Sequence, residues 1–157
     1  MEKFSVLMSV YAREQSAYLK EALRSVFEQT VPPSEVVLVK DGPLSTELEV
    51  VIASFAEHYK NLKIVALAKN MGLGNALNVG LSACTHRLVA RMDSDDLSLP
   101  GRFEAQLRVF DEYPDVSVVG GWISEFDKDP KDIISSSNPQ LSSSASFLRL
   151  NVLSSLN

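Results

Sequence analysis

The feature that most constrains this chain is a regular alternation of strand-like and helix-like apolar segments between Phe4 and Trp122. Short, continuous apolar runs predict buried strands, and apolar residues at i, i+3 and i+4 predict helices. The predicted strands are residues 4–10, 35–40, 62–67 and 87–92. Because strands joined by helical crossovers form parallel sheets, we predict an α/β fold with a mainly parallel sheet, strand order 3-2-1-4 and helices on both faces. A fifth apolar segment, residues 116–123, is expected to extend that sheet.

The helices are expected to lie between these strands, and capping residues predict where two of them begin. Ser16 is expected to cap the first helix. Thr46 and Glu49 have the spacing of a capping box before the second helix. The third and fourth helices are indicated by apolar side chains at helical spacing, namely Leu73, Ala76, Leu77, Gly80, Leu81 and Cys84, and then Phe103, Leu107 and Phe110.

Length and charge limit the classes of protein to consider. A chain of 157 residues suits one domain. Its net charge of −5 argues against a nucleic-acid partner, which requires a basic surface. We expect no signal peptide, because folding sequence begins directly at residues 1–4, and no apolar run approaches the roughly 20 residues of a membrane span. We therefore expect a cytoplasmic protein without a membrane span, and peripheral association with the inner membrane is left open.

The last part of the chain differs in composition from the rest. Residues 125–132 are mostly charged, and Ser accounts for nine of the 23 residues from 135 to 157. Such polarity does not favour a packed core. We predict a folded unit over residues 1–125 and a polar, Ser-rich tail over residues 126–157, poorly ordered or foreign to the fold. A short amphipathic helix around Ser146 to Leu153 is the alternative for the tail.

Residues with useful chemistry follow each predicted strand. They are Tyr11 after the first, Asp41 after the second, Lys69 and Asn70 after the third, and Asp93, Asp95 and Asp96 after the fourth. In open parallel sheets, ligands bind outside the carboxyl ends of the strands. An aromatic ring, a carboxylate, a cation and a carboxylate cluster are therefore expected at one edge. Taken singly, Asp41 is an ordinary turn residue and Lys69 an ordinary surface lysine, so their shared location carries the prediction.

The acidic turn is the strongest element of this predicted site. Three carboxylates within four residues repel one another unless a cation neutralises them. Carboxylate oxygens suit Mg²⁺ or Mn²⁺, which also accept substrate phosphates as ligands. The alternative is a solvated acidic loop in which Asp96 caps the following helix.

Two other nucleotide- or metal-binding classes fit the sequence poorly. The segment Asn70–Gly74 lacks both the Gly-x-Gly-x-x-Gly fingerprint and a Walker lysine, which argues against a dehydrogenase or a P-loop NTPase. A response-regulator receiver would need acidic residues after its first strand and an Asp after its third. Residues 11–13 and 68–70 do not provide them.

Four blocks of sequence resemble family 2 glycosyltransferases of the GT-A fold, a Rossmann-like architecture. They are FSVLMSVYAREQ, VVLVKDGP, KNMGLGNALNVGL and ARMDSDDLSLPGRFEAQL, in the family's order over about residues 4–125. Residues 1–125 would then be the nucleotide-sugar-binding part of a GT-A domain. The chain is most similar to bacterial enzymes that build capsular or lipopolysaccharide glycans.

The resemblance implies a role for each candidate residue. Tyr11 would lie against the base, Asp41 would accept the N3–H of uracil, Lys69 or Asn70 would sit near the base or diphosphate, Asp93 would contact the ribose or metal side of the donor, and Asp95 would ligate Mn²⁺ or Mg²⁺. Where the family often has two consecutive aspartates, this chain has Lys40 and Asp41.

The resemblance also implies the reaction and its partners. A sugar would move from a nucleoside diphosphate, with UDP favoured, to a glycan or lipid-linked acceptor. Family members are longer, and their acceptor site and catalytic base lie in the C-terminal portion, so the catalytic residue is left unassigned. The alternative is a donor-binding fragment without transfer activity, and self-association is left open.

Overall fold

The computed structural model describes residues 2–121, 123–126, 132–137 and 153–155. The elements in these residues are β1 (Phe4–Val10), α1 (Ser16–Phe27), β2 (Glu35–Lys40), α2 (Thr46–His58), β3 (Leu62–Ala66), α3 (Leu73–Ala83), β4 (Leu88–Asp93), α4 (Arg102–Glu112), β5 (Val118–Val119), β6 (Ile123–Phe126), β7 (Ile133–Ser137) and β8 (Leu153–Ser155). Strands and helices alternate from β1 to α4, as the apolar periodicity predicts.

The main sheet has the strand order β3-β2-β1-β4-β8-β5. β1 lies at its centre and pairs in parallel with both β2 and β4, while β2 pairs in parallel with β3. Ser9 is opposite Val39 on one side and Asp93 on the other. The predicted order 3-2-1-4 is therefore confirmed, and the carboxyl ends of β1, β2 and β4 meet at one edge.

Part of the fifth apolar segment joins the sheet, as predicted, although not directly beside β4. β5 does belong to the sheet, but β8 lies between it and β4 and is antiparallel to both. The outer edge of β4 exposes backbone N–H and C=O groups that any extended segment can pair with. β8 satisfies them through residues 153–155, which no local periodicity marked as a strand.

The described parts of the predicted tail are extended. β7 pairs with β6 in a separate two-stranded sheet, and β8 joins the main sheet. The alternative helix around Ser146 to Leu153 lies outside the described residues, except for Leu153 itself, which is in β8. The boundary between residues 125 and 126 stays a prediction.

Helices cover both faces of the sheet, as predicted. The larger core lies under α1, α2 and α4, where Met8 and Leu38 of the sheet pack with Leu23, Ile52 and Phe103. The smaller core lies under α3 and is formed by Leu7, Val37, Val39, Ala76 and Val89. Successive strand residues point to opposite faces, so each of β1 to β4 contributes to both cores.

Three helix starts differ from the capping predictions. α1 begins at Ser16 with Gln15 at its N-cap, and α2 begins at Thr46 with Ser45 as its cap. The Ser45 hydroxyl accepts a hydrogen bond from the backbone N–H of Leu48 at 3.3 Å, the ordinary N-cap to N3 contact. The N-cap of α4 is Gly101, so Asp96 does not cap that helix. Among the helices that the structure describes, none is both long and apolar enough to cross a membrane.

Candidate functional site

A cleft of about 750 Å³ opens at the carboxyl ends of β1, β2 and β4. Its floor begins where the apolar core under α3 ends. Asp41 lies two positions beyond the core residue Val39, and Arg91 lies two positions beyond the core residue Val89. Each pair is on the same face, because side chains on a strand return to the same face every second residue. The residues that line the cleft are Ser9, Tyr11, Glu14, Asp41, Asn70, Gly72, Leu73, Arg91, Asp93, Ser94, Asp95, Asp96 and Ile123.

The structure brings most of the predicted site residues together. Tyr11, Asp41, Asn70, Asp93 and Asp95 all line the cleft. The Tyr11 side chain is 45% exposed, so its ring is available to a ligand. The sixth predicted residue, Lys69, is exposed in the loop before α3 and does not line the cleft.

Asp41 holds the loop that leads into α3. Its side chain is only 4% exposed, and its Oδ1 accepts a hydrogen bond from the backbone N–H of Met71 at 2.6 Å. Its Oδ2 accepts from the N–H of Gly72 at 3.1 Å. A carboxylate has about four lone-pair sites, so these two bonds leave acceptor capacity towards the cleft.

Gly42 allows the two loops to approach each other. Its φ is +89°, a conformation that L side chains rarely adopt. A Cβ atom added there would lie 2.6 Å from the backbone nitrogen of Asn70. The Asp-Gly turn after β2 is therefore a close backbone contact as well as a reversal of the chain.

The acidic turn after β4 carries unfavourable charge. Burial raises the pKa of Asp95, and the neighbouring charges of Glu14 and Asp93 raise it further. Burial likewise raises the pKa of Asp96, with Asp93 and Asp95 adding to the effect and Arg102 and Arg91 opposing it. These carboxylates are thus held close enough to resist ionising together, which is the condition that a bound cation relieves.

The donor set fits a metal that arrives with a phosphate ligand. Among the described residues, no three acidic, His or Cys side chains are grouped so as to hold a metal by themselves. Mg²⁺ commonly takes only one or two carboxylates, completing its shell with waters and substrate phosphates. Asp93 and Asp95, which both line the cleft, meet that requirement.

Residues behind the cleft fix the acidic turn from its far side. The guanidinium of Arg102 donates to the backbone oxygen of Arg91 at 3.1 Å, and burial lowers its pKa to about 10 despite the charges of Asp96 and Asp93. The buried Gln29 amide lies after α1 and donates to the backbone oxygens of Ser98 and Leu99, at 3.1 and 2.9 Å. Its own oxygen accepts from the N–H of Phe103 at 3.3 Å.

Sequence reasoning missed two charged residues of the cleft. Glu14 follows β1 and accepts a hydrogen bond from the Ser94 hydroxyl at 2.6 Å. Arg91 lies within β4, and its Nη2 is 2.7 Å from Asp93 Oδ1. Both carried a signal, because Glu14 lies just beyond a strand end, and Arg91 interrupts an otherwise apolar strand two residues before an aspartate.

A second polar cluster lies at the opposite, amino end of β1. Glu35 Oε2 accepts hydrogen bonds from Ser5 Oγ at 2.7 Å and from the backbone N–H of Thr85 at 2.9 Å. His86 Nδ1 is 3.1 Å from Ser5 Oγ. A serine, a histidine and a carboxylate are thus in contact, but Ser5 is fully buried, so its hydroxyl does not face a substrate.

Comparison with known proteins decides the family. Residues 5–154 match the family model described as glycosyl transferase family 2. The chain belongs to this family. The match extends beyond residue 125 and includes part of the segment that the composition set apart.

Two curated relatives of this family 2 chain are glycosyltransferases of bacteria. It is 45% identical over 130 residues to the UDP-Gal:alpha-D-GlcNAc-diphosphoundecaprenol beta-1,3-galactosyltransferase of Escherichia coli, covering 83% of this chain and 47% of that one. It is 46% identical over 129 residues to the amylovoran biosynthesis glycosyltransferase AmsE of Erwinia amylovora, covering 82% and 48%. The chain therefore spans about half the length of these relatives.

Solved structures of glycosyltransferases have the same fold. S. aureus TarS 1-349 in complex with UDP matches with a TM-score of 0.65 and 29% identity, over 74% of this chain and 34% of that one. The mannosyltransferase PcManGT of Pyrobaculum calidifontis matches with a TM-score of 0.67 and 22% identity, over 76% and 35%, which bears on the fold alone. The predicted GT-A fold is confirmed.

Proposed function

We propose that this chain binds a nucleoside-diphosphate sugar, with UDP as the nucleotide, in the cleft at the carboxyl ends of β1, β2 and β4. The observation that carries the proposal is the convergence of Tyr11, Asp41 and the acidic turn in one cleft of about 750 Å³. Small-molecule sites commonly have volumes of about 300–1,000 Å³. A flat aromatic ring, a carboxylate acceptor and a carboxylate cluster match the base, its N–H group and a metal-bound diphosphate.

The relatives support uridine as the base. The name of the E. coli relative contains UDP-Gal, and TarS structures contain UDP and UDP-GlcNAc. At 29 to 45% identity these proteins are near enough to favour the same nucleotide in this chain. Which sugar it carries is a separate question, since the named sugars already differ between these two proteins.

Each residue has a role in this proposal. Tyr11 stacks on the base, the remaining acceptor capacity of Asp41 takes its N–H, and Asn70 lies beside them. Asp93 and Asp95 would hold Mn²⁺ or Mg²⁺, which when bound stabilises a departing diphosphate as a Lewis acid. The protein's own part is to orient the nucleotide and to hold the carboxylates of the acidic turn at the cleft. Lys69 is expected to contribute long-range charge only, because it lies outside the cleft.

Sugar transfer to a glycan or lipid-linked acceptor is the reaction that family membership supports. No described residue is assigned here as the catalytic base, which typically contributes a factor of about 10² to 10⁴ to the rate. The chain spans about half of its relatives, so donor binding without transfer is the second candidate. Self-association is a further expectation, and sedimentation velocity with and without UDP measures it.

Calorimetric titration of UDP with and without Mn²⁺ tests donor binding. Asp95→Asn is expected to lower metal-dependent UDP affinity by at least about tenfold, because a neutral amide replaces a charged carboxylate ligand of the metal. Asp115→Asn is the matched control, since Asp115 is an exposed acid outside the cleft. Unchanged UDP affinity in Asp95→Asn would refute the metal assignment, and UDP release only in the presence of an acceptor would favour transfer over binding alone.

A further inference from the structure

We propose that Arg91 binds the phosphate groups of the nucleoside diphosphate and releases Asp93 when it does so. This inference rests on the proposed function and adds a second positive charge, beside the metal, at the same site.

The first observation is the position of Arg91. It lies opposite Leu7 in the pairing of β4 with β1, and Asp93 lies opposite Ser9. Leu7 belongs to the apolar core under α3, while Ser9, Arg91 and Asp93 line the cleft. Arg91 is therefore the point on β4 where the buried core gives way to the ligand-accessible floor.

The second observation is that its guanidinium is only partly engaged. The group has five N–H donors in a fixed fork. Among the described residues, Asp93 accepts from Nη2, and none accepts from Nε, which is buried. The side chain as a whole is about one third exposed, so the outer nitrogens reach the cleft. A fork with free donors matches the bidentate geometry in which arginine binds phosphate.

The third observation is the charge of the cleft. Five lining residues are acidic, namely Glu14, Asp41, Asp93, Asp95 and Asp96. Among the described lining residues, Arg91 is the one that is always cationic. Arg102 is turned away, towards the backbone oxygen of Arg91 and the sulfur of Met92. A diphosphate would meet strong repulsion here without a cation, and one metal ion offsets only part of the acidic charge.

Without a ligand, the ion pair with Asp93 holds the Arg91 guanidinium in position at the cleft. The two groups are at 2.7 Å and both are partly exposed, so the pair contributes little to stability. With Asp93 engaged by a metal, the guanidinium would lose its partner at the site where a phosphate becomes available. On donor binding, Arg91 would thus pass from Asp93 to a phosphate group, and Asp93 would be free to hold the metal.

The alternative is that Arg91 only orients Asp93, and a series of ligands separates the two roles. Wild type, Arg91→Gln and Arg91→Lys are titrated with uridine, UMP and UDP in Mn²⁺. Direct phosphate binding predicts that Arg91→Gln lowers the affinity for UDP by about 10- to 100-fold, as expected for loss of charge-assisted hydrogen bonds. The affinity for UMP should fall by less, and the affinity for uridine by less than about twofold. Arg91→Lys keeps the charge without the fork and is expected to fall in between.

A second experiment repeats the UDP titrations in EDTA, so that Asp93 cannot bind a metal. Because Asp93 then remains the partner of Arg91, the loss of UDP affinity in Arg91→Gln is expected to be smaller than in Mn²⁺ but still measurable, whereas a residue that acts only through the metal ligand would lose its effect. Arg108→Gln is the control, because Arg108 forms an exposed ion pair on α4. Circular dichroism and thermal melts check folding in each variant, and Arg91→Lys is the variant on which to decide if Arg91→Gln does not fold.

Three outcomes overturn the inference. UDP affinity unchanged in both variants would show that Arg91 does not bind phosphate. Equal losses for uridine and UDP would assign it a purely structural role. Wild-type protein that binds no UDP would overturn the proposed function together with this inference, whereas the first two outcomes leave the proposed function intact.

Discussion

The two ends of β1 both carry polar clusters built around carboxylates, but their pKa values move in opposite directions. At the amino end, burial tends to raise the pKa of Glu35, yet hydrogen bonds from Ser5 and Thr85 and the charge of Lys63 together lower it. At the carboxyl end, burial raises the pKa values of Asp95 and Asp96, and neighbouring carboxylates raise them further.

This contrast separates a structural cluster from a ligand site. The Glu35 carboxylate accepts hydrogen bonds from the Ser5 hydroxyl and the backbone N–H of Thr85, so its ionised form is stabilised without any ligand. The acidic turn has more negative charge than the protein neutralises, and perturbation of this kind is typical of functional sites. Changes at the amino end should therefore alter stability alone, and changes at the carboxyl end should alter ligand binding.

The largest expected effect is on stability and ligand binding together. It concerns the close contact between the loop after β2 and the loop before α3. Gly42→Ala is expected to lower the free energy of unfolding by about 2–5 kcal/mol, the sum of a left-handed backbone penalty and overpacking against Asn70. UDP affinity should fall as well, because the loop held by Asp41 has to move. Urea denaturation and UDP titration measure the two effects.

Gly74→Ala is the matched control for this substitution. A Cβ at Gly74 meets no atom within 4 Å, and the residue lies in α3. Alanine is the better helix former, so stability should rise by about 0.5–1 kcal/mol. A tolerated Gly42→Ala with unchanged UDP affinity would show that the loops do not need this contact.

At the amino end, Glu35→Ala tests the structural half of the comparison. It leaves the buried Ser5 hydroxyl and the backbone N–H of Thr85 without their acceptor. We expect a loss of about 1–3 kcal/mol in the free energy of unfolding, mainly because the Ser5 hydroxyl is buried, whereas the exposed Thr85 N–H can bond to water. The UDP affinity of the folded protein should not change, and a tenfold weakening would remove the distinction between the two ends.

Asp96→Asn tests the carboxyl end with a smaller effect of the opposite sign. It removes one of the mutually repelling carboxylates, so the free energy of unfolding should stay constant or rise by at most about 1 kcal/mol, since exposed charges are screened by solvent. Thermal melts without metal provide the measurement. A clear loss of stability would mean that Asp96 makes a favourable contact that outweighs the repulsion.

The smallest effect is the pH dependence of the Glu35 contribution. Its pKa in the folded protein lies below the ordinary value of 4.5. Its contribution to stability is therefore fully present above about pH 4.5 and is lost as the pH falls through the lowered folded-state pKa. The stability difference between wild type and Glu35→Gln should be constant from about pH 7 to 5 and shrink below that. A difference that already shrinks near pH 6 would contradict the lowered pKa.

Much of the fold and part of the site follow from the sequence because their signals are local. Buried parallel strands are continuous apolar runs, and the residues that follow them, such as Tyr11 and Asp41, collect at one edge by geometry alone. Arg91 was missed because a strand interior was expected to be apolar throughout. The hydrogen bonds from Met71 and Gly72 to Asp41, and the pairing of β8 with β4, join distant segments and leave no mark on local periodicity.

The position of β8 has a consequence for the order in which the chain folds. β8 pairs Ser155 with Leu88, a wider separation along the chain than in the pairings among β1, β2 and β3, although β1 and β4 pair across a wider one still. The entropy cost of closing the loop is met before the strand contacts stabilise the pairing, and this slows its formation. Because β8 also follows β1 to β4 and their helices along the chain, we expect those elements to assemble first and β8 to dock last. The strand that bears Arg91 and Asp93 would then pass through a stage with one open edge, the stage at which a newly made chain is most prone to pair with a neighbour.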